Sequence, residues 1–232
     1  MIHCPALPTN STGFTGATQF LDLDHPAVQA FAHDAIGNST NERDQAVKLF
    51  YAVRDKIRYD PYQITFQAPG YKASAVASAG YGWCVPKAGL LAACARVVGI
   101  PSALGLADVV NHMTSEKLQR KMGGVNVFYD HGYAALMVDG RWLKAVPAFN
   151  IELCQRFGVV PTEFDGSGDA LYQEYDAHGR LHMQYLTDHG TFSDMPLARI
   201  IEDFKRYYPP SLMVEDARDS GGPRFEDEAR RA

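Results

Sequence analysis

The stretch YGWCVPKAGLLAACARVVGIPSALGL, Tyr81–Leu106, carries the residue best placed for chemistry, Cys84. Gly82-Trp83 closes a loop, and a helix is expected to start at Cys84. Pro86 suits a first turn, where its missing N–H costs nothing, and Ala88, Leu91, Ala92, Ala95 and Val98 then recur at helical spacing. Gly99 fits the position after the last turn, and Pro101 forbids further helix. A thiol at a helix N-terminus meets free N–H groups and the positive end of the helix dipole, both of which favour the nucleophilic thiolate. Ala88, Gly89, Ala92, Ala93 and Ala95 predict neighbours packed very close to this helix. Alone, Cys84 would read as a buried structural cysteine, the commoner fate of the residue, so nucleophilic chemistry requires a base from elsewhere.

That base is sought in YDHGYAALMVDGRWLKAVPAFN, Tyr129–Asn150. Asp139-Gly140 between two apolar runs predicts a two-residue hairpin loop. Val138 then faces Arg141, and His131 starts the first strand opposite Ala148, with Tyr133, Ala135 and Met137 on its face. Val146 and Asn150 become its same-face diagonal neighbours, about 7–8 Å away at Cα. Without Cys84, a histidine at a strand end is an ordinary surface residue.

GWCVPKAGLLAACARVVGIPSALG followed by HGYAALMVDGRWLKAVP resembles the transglutaminase-like superfamily. The matching features are Gly-x-Cys opening an Ala-rich helix, Arg96…Gly99-Ile100-Pro101 closing it, and His-x-aromatic leading into a Gly-x-Trp hairpin. The resemblance is to bacterial transglutaminase-like proteins regarded as cysteine proteases, not to the large calcium-dependent animal enzymes. It implies an α+β, papain-like core, with the nucleophile helix packed on an antiparallel sheet that carries the base. It also implies a Cys–His–Asp/Asn triad: Cys84 attacks an amide or ester carbonyl, His131 takes the thiol proton, and a thioester forms. The family's acid usually sits four residues after the hairpin Trp, and here that position is Val146. Asn150 is the expected substitute, because an amide oxygen can accept from a ring N–H; it equally fits a cap for a helix starting at Ile151. Asp165, on a loop, is the other candidate. Trp83 is a cleft candidate, as is Gln67, since papain-like enzymes place a glutamine upstream of the nucleophile as an oxyanion donor; a solvated loop glutamine fits Gln67 better. The Cys84 N–H is the stronger oxyanion donor.

The expected reaction is hydrolysis of a peptide or other amide bond, on a peptide, protein or small amide substrate. A transglutaminase or amide-forming acyltransferase is the alternative with the same chemistry. A catalytically inactive binding module on the same fold is the third reading, favoured by Val146 and opposed by Cys84 and His131. No calcium-loop pattern is visible, so no cofactor or metal is expected. His178, His182 and His189 sit where alternating Leu181, Met183 and Tyr185 predict strand, and an i,i+4 pair needs a helix to converge on a metal.

Elements must position these residues. Ala27–Ile36 reads as a short helix, Ser39–Glu42 as a capping box, and Asn41–Arg58 as an amphipathic helix with Ala46, Phe50, Val53 and Ile57 on one stripe. Tyr59–Gly80 reads as an irregular connector walling the cleft. Ser102–Val110 predicts a strand, Thr114–Met122 a short helix, Leu171–Asp176 with Arg180–Leu186 a second hairpin, and Pro196–Tyr208 a helix capped by Asp194. The expectation is one domain over 1–214, with a core at about 39–150, an elaboration over 151–210 and a disordered charged tail at 215–232. The net charge of −5 speaks against wholesale nucleic-acid binding. No apolar run approaches the roughly 20 residues of a membrane span, and Met1–Asn10 lacks signal-peptide character. Cys4, Cys84, Cys94 and Cys154 lack CxxC spacing and read as reduced thiols in a cytoplasm. The sequence leaves the oligomeric state open.

Overall fold

The computed structural model describes residues 7–8, 12–172, 174–176, 178–213 and 224–231. Its first half is helical. Helix α1 (Pro26–Ile36) is capped by the His25 ring, which accepts from the Ala27 N–H. In α2 (Glu42–Lys56) the Asn41 side chain accepts from the Asp44 N–H, so the cap is Asn41 and not the Ser39 of the expected box. Ala46, Leu49, Phe50 and Val53 form the buried stripe of α2.

The connector after α2 is more ordered than its composition predicts. It contains β1 (Arg58–Tyr59), two 3-10 turns and α3 (Ala73–Ala79), and β1 pairs in parallel with β2 (Tyr81–Gly82). ASAVASA carries no apolar stripe, which hid α3 from periodicity. Then comes α4 (Cys84–Val97), which opens on Cys84 as expected and is buried from Cys84 to Arg96. Its small side chains let α1, α2, α3 and the sheet pack around it. One polar group lies inside this packing. Lys87 is fully buried, and its ammonium donates to the carbonyl oxygens of Arg54 and Ile57 at the end of α2. Those carbonyls have no partner within their own helix. Burial pushes the Lys87 pKa down to about 7.

The sheet has the order β5-β4-β3-β6, antiparallel throughout, from β3 (Ser102–Asn111), β4 (Val127–Val138), β5 (Arg141–Ala145) and β6 (Met183–Phe192). Asp139 and Gly140 have φ of 49° and 73°, the two left-handed residues of a tight hairpin. The register is the expected one from Val138↔Arg141 to Ala134↔Ala145, and there it stops. The Val146 N–H donates to Ala170 O at 2.9 Å and the Ala170 N–H to Lys144 O at 2.7 Å. With Pro147 unable to donate to a ladder, the chain leaves β4 after Ala145. His131 therefore has Ala107 of β3 as its recorded cross-strand partner, not Ala148.

The remaining elements are α5 (Glu116–Lys121), α6 (Ile151–Phe157) and α7 (Leu197–Tyr207). Of the second hairpin, an isolated Tyr175↔Leu181 bridge remains, and β6 instead becomes the sheet edge beside β3. Asp194 accepts from Thr18 Oγ1, from the backbone N–H groups of Gln19 and Phe20, and from Met195 N–H, so it ties the N-terminal arm down instead of capping α7. Part of the tail expected to be disordered is docked. Phe225–Arg231 forms a 3-10 turn with Phe225 buried against Tyr59, Tyr62 and Phe157. Residues 215–223 and 232 of that tail lie outside the described residues.

Two glycines of β4 and its neighbour set the layer spacing. A Cβ at Gly132 would fall 2.6 Å from Val85 Cα and 3.0 Å from Val85 N, so β4 lies directly on the first turn of α4. A Cβ at Gly105 would fall 2.0 Å from the Tyr133 ring, which crosses that position on the neighbouring strand. The Gly132 contact is backbone on backbone and no rotamer relieves it. Gly132→Ala should therefore destabilise by about 1–3 kcal/mol, as overpacking does, while Gly168→Ala, which meets nothing within 4 Å, should change stability by less than about 0.5 kcal/mol. Urea unfolding midpoints of the two variants check this; equal midpoints would contradict the close approach.

Candidate active site

Cys84 and His131 line one cavity. Cys84 reaches it from the first position of α4, whose N-cap residue is Trp83. His131 reaches it from β4, directly after a kink at Asp130, which has φ 55°. The following residue, Gly132, is the one that lets β4 touch α4, so the tight packing brings Cys84 and His131 to one cavity. Cys84 is 4% exposed and His131 3%.

The backbone N–H groups of Gly132, Val85 and Cys84 favour the Cys84 thiolate, but burial outweighs them and pushes the thiol up to about 12. Burial also holds the His131 imidazole down at about 3. The enclosed pair is accordingly a neutral thiol beside a neutral imidazole. The thiolate expected from helix position alone is overridden by desolvation.

The cavity wall is apolar. Tyr59, Ile64, Trp83, Phe128, Phe204 and Tyr208 are among the side chains around the pair, and the free volume is about 30 Å³, room for about two waters. Phe204 and Tyr208 come from the end of α7 and Phe204 packs on Trp83 at 5.8 Å between ring centroids. This roof was legible only as an apolar stripe on a helix, with nothing in the sequence to say what it covers.

The third position differs from expectation. Asn150 does not hold His131: its Oδ1 accepts from the Tyr59 N–H at 3.1 Å and its Nδ2 donates to Glu152 at 2.8 Å. The departure of the chain from β4 after Ala145 carries Asn150 to β1 instead. Asp165 is exposed and accepts from the Ser167 N–H and hydroxyl, both at 2.7 Å, so it closes its own turn. Gln67 is exposed at the start of a 3-10 turn and does not line the cavity. The group at the His131 ring is the Tyr172 hydroxyl, 3.3 Å from Nε2, both side chains being buried. Tyr172 was missed because its segment was read as the first strand of a second hairpin, of which only the Tyr175↔Leu181 bridge is present among the described residues; the Ala170 hydrogen bonds carry it to the site instead. The hydroxyl of Tyr71, whose ring packs on Trp83, is buried and has no partner among the described residues.

Among the described residues, one group of potential metal ligands converges: Asp108, Asp130 and His189, with ligand atoms within 4.8 Å of one another. His189 Nε2 already lies 2.9 Å from Asp108, and Arg199 Nε lies 3.3 Å from Asp130. Arg199 thus pairs Asp130 of β4 with α7, and His189 of β6 lies on Asp108 of β3. Burial raises the Asp130 carboxyl to about 6.

With this geometry in hand, the chain can be placed. The transglutaminase-like superfamily pattern matches residues 29–147, just over half of the sequence, and the chain belongs to that superfamily. Two solved structures are similar to parts of the chain. One is a candidate cysteine protease from Cytophaga hutchinsonii, at 14% identity and TM-score 0.47, matched over 80% of this chain and 55% of that one. The other is a candidate protease from Parabacteroides distasonis, at 20% identity and TM-score 0.36, matched over 55% of this chain and 25% of that one. The chain thus spans about half, and a quarter, of the length of these two structures. No curated protein matches. Among the described residues, no helix is long and apolar enough to cross a membrane.

The buried imidazole has a consequence for stability. An unfolded chain takes up a proton on His131 as pH falls through about 6.5, whereas the folded ring resists until about 3. The stability due to the neutral ring is complete above 6.5 and is lost as pH falls from there toward 3. Comparison of wild type with His131→Gln by urea unfolding should show their stability difference moving against wild type by up to about 1.4 kcal/mol per pH unit between pH 6 and 4. A pH-independent difference would show that the ring titrates as a free histidine.

Proposed function

We propose that this protein is a cysteine-dependent acyl-transfer enzyme in which Cys84 is the nucleophile and His131 the base, and that its usual outcome is hydrolysis of an amide or peptide bond. The observation that carries the reading is the enclosure of a helix-start cysteine and a histidine in one apolar-walled cavity. Cys84 adds to the substrate carbonyl as its S–H proton passes to His131. The tetrahedral oxyanion meets backbone donors already in place, and collapse to the thioester returns the proton to the leaving amine. Water, activated by the same imidazole, completes hydrolysis.

The apolar wall favours a substrate with an uncharged, apolar acyl portion, because a charged group would be desolvated there without a partner. The free volume is too small for such a group, so substrate must displace part of the Phe204–Tyr208–Leu212 roof. Transfer of the acyl group to an amine is the second reading. It shares every step up to the thioester and differs only in which nucleophile reaches it.

The test uses 4-nitrophenyl 3-phenylpropanoate, an activated ester with an apolar acyl group. Mass mapping should find the acyl group on Cys84, and Cys84→Ala should abolish labelling. His131→Ala should slow acylation by about 10²–10⁴-fold, the usual loss of a general base. Labelling that survives Cys84→Ala, or that falls on Cys94 or Cys154, would overturn the assignment. Added glycine ethyl ester should be acylated more slowly than the thioester hydrolyses; the reverse ratio would favour the transferase reading.

A further inference from the structure

We infer that Tyr172 is the positioning residue of this site: its hydroxyl accepts from His131 Nε2–H, which fixes the ring and leaves Nδ1 to take the Cys84 proton. The inference rests on the Cys84–His131 reading and adds to it a member from outside the expected hairpin.

The geometry is built from several directions. The Tyr172 hydroxyl is 3.3 Å from His131 Nε2, and the two rings meet edge to face at 5.2 Å and 70°. Phe149 packs on the Tyr172 ring at 5.0 Å, and the Tyr172 N–H points to the Tyr185 hydroxyl at 3.4 Å. Two residues upstream, Ala170 exchanges hydrogen bonds with Lys144 and Val146 at the point where the chain leaves β4. The strand departure that takes Asn150 away from His131 is therefore the same feature that brings Tyr172 to it. Val146, in the hairpin position expected to hold an acid, is buried and can hold no ring nitrogen.

The choice of a hydroxyl changes the chemistry. A carboxylate at Nε2 would stabilise an imidazolium and so favour a resting thiolate–imidazolium pair. A tyrosine hydroxyl carries no charge, and burial raises this one well above its ordinary range, so it stays neutral. It can orient the ring and select the tautomer, but it cannot compensate a buried positive charge. The proton then leaves Cys84 only as the sulfur bonds to the substrate carbon, with His131 holding it at Nδ1 until the tetrahedral adduct collapses and the leaving amine takes it.

Tyr172→Phe keeps the ring packing and removes the oxygen alone. The readouts are the ¹⁵N spectrum of His131 and the rate of Cys84 alkylation by iodoacetamide across pH 6–9 in the full chain. The wild type should show the Nε2–H tautomer. The variant should show averaged tautomers and alkylate about 3- to 10-fold more slowly, the order of one neutral hydrogen bond, with little change in thermal midpoint. An Nδ1–H tautomer in wild type, or identical tautomers and rates in the variant, would overturn the inference. His131→Ala separates the two levels. If it alkylates like wild type, the base assignment itself fails; if it is slow while Tyr172→Phe is normal, the role of Tyr172 alone fails.

Discussion

Everything at this site depends on how closely β4 lies on the first turn of α4. The Gly132 position touches Val85 at a distance no side chain could share, and that contact puts a strand residue, His131, beside a helix residue, Cys84. It also brings the Gly132 N–H to the sulfur, alongside the N–H groups of the helix start. The same constraint explains the composition of α4. A helix surrounded by three others and a sheet must have small side chains over most of its surface, and its alanines and Gly89 are the sequence record of that crowding.

Close packing has an electrostatic side. The site that lets strand and helix meet also excludes water, and exclusion of water penalises both members of an ion pair. Cys84 and His131 are each pushed toward neutrality, the thiol upward and the imidazole downward. Helix dipole and N–H donors act against this, and at complete burial they lose. The pair is held uncharged.

The helix, the hairpin and the cysteine–histidine pair were legible from sequence because each follows from local chemistry: a proline in a first turn, an Asp-Gly loop, a period of 3.6. The register of β5 was also legible, since a two-residue loop dictates it. Its length was not. Where a ladder ends is decided by a competing partner, here Ala170, and nothing local to Val146 announces a bond to a residue so far along the chain. Asn150 went astray for that reason, and Tyr172 was invisible for the same one. α3 shows the complementary failure, a helix stabilised by what packs on it and not by any stripe of its own. Lys87 is a third kind: a charged residue in the most buried helix makes sense only once the uncapped carbonyls of α2 are seen above it.

The superfamily pattern ends at residue 147, whereas Tyr172, Phe204 and Tyr208 all lie beyond it. Cys84 and His131 thus share the matched stretch with Tyr59, Ile64, Trp83 and Phe128, while the rest of the wall, Phe204, Tyr208 and Leu212, and the Tyr172 hydroxyl come from beyond it. A change after residue 147 can therefore alter the shape and polarity of the space beside the sulfur without touching the matched stretch. Membership of the superfamily, read from residues 29–147, carries no information on the part of the wall that Phe204 and Tyr208 supply.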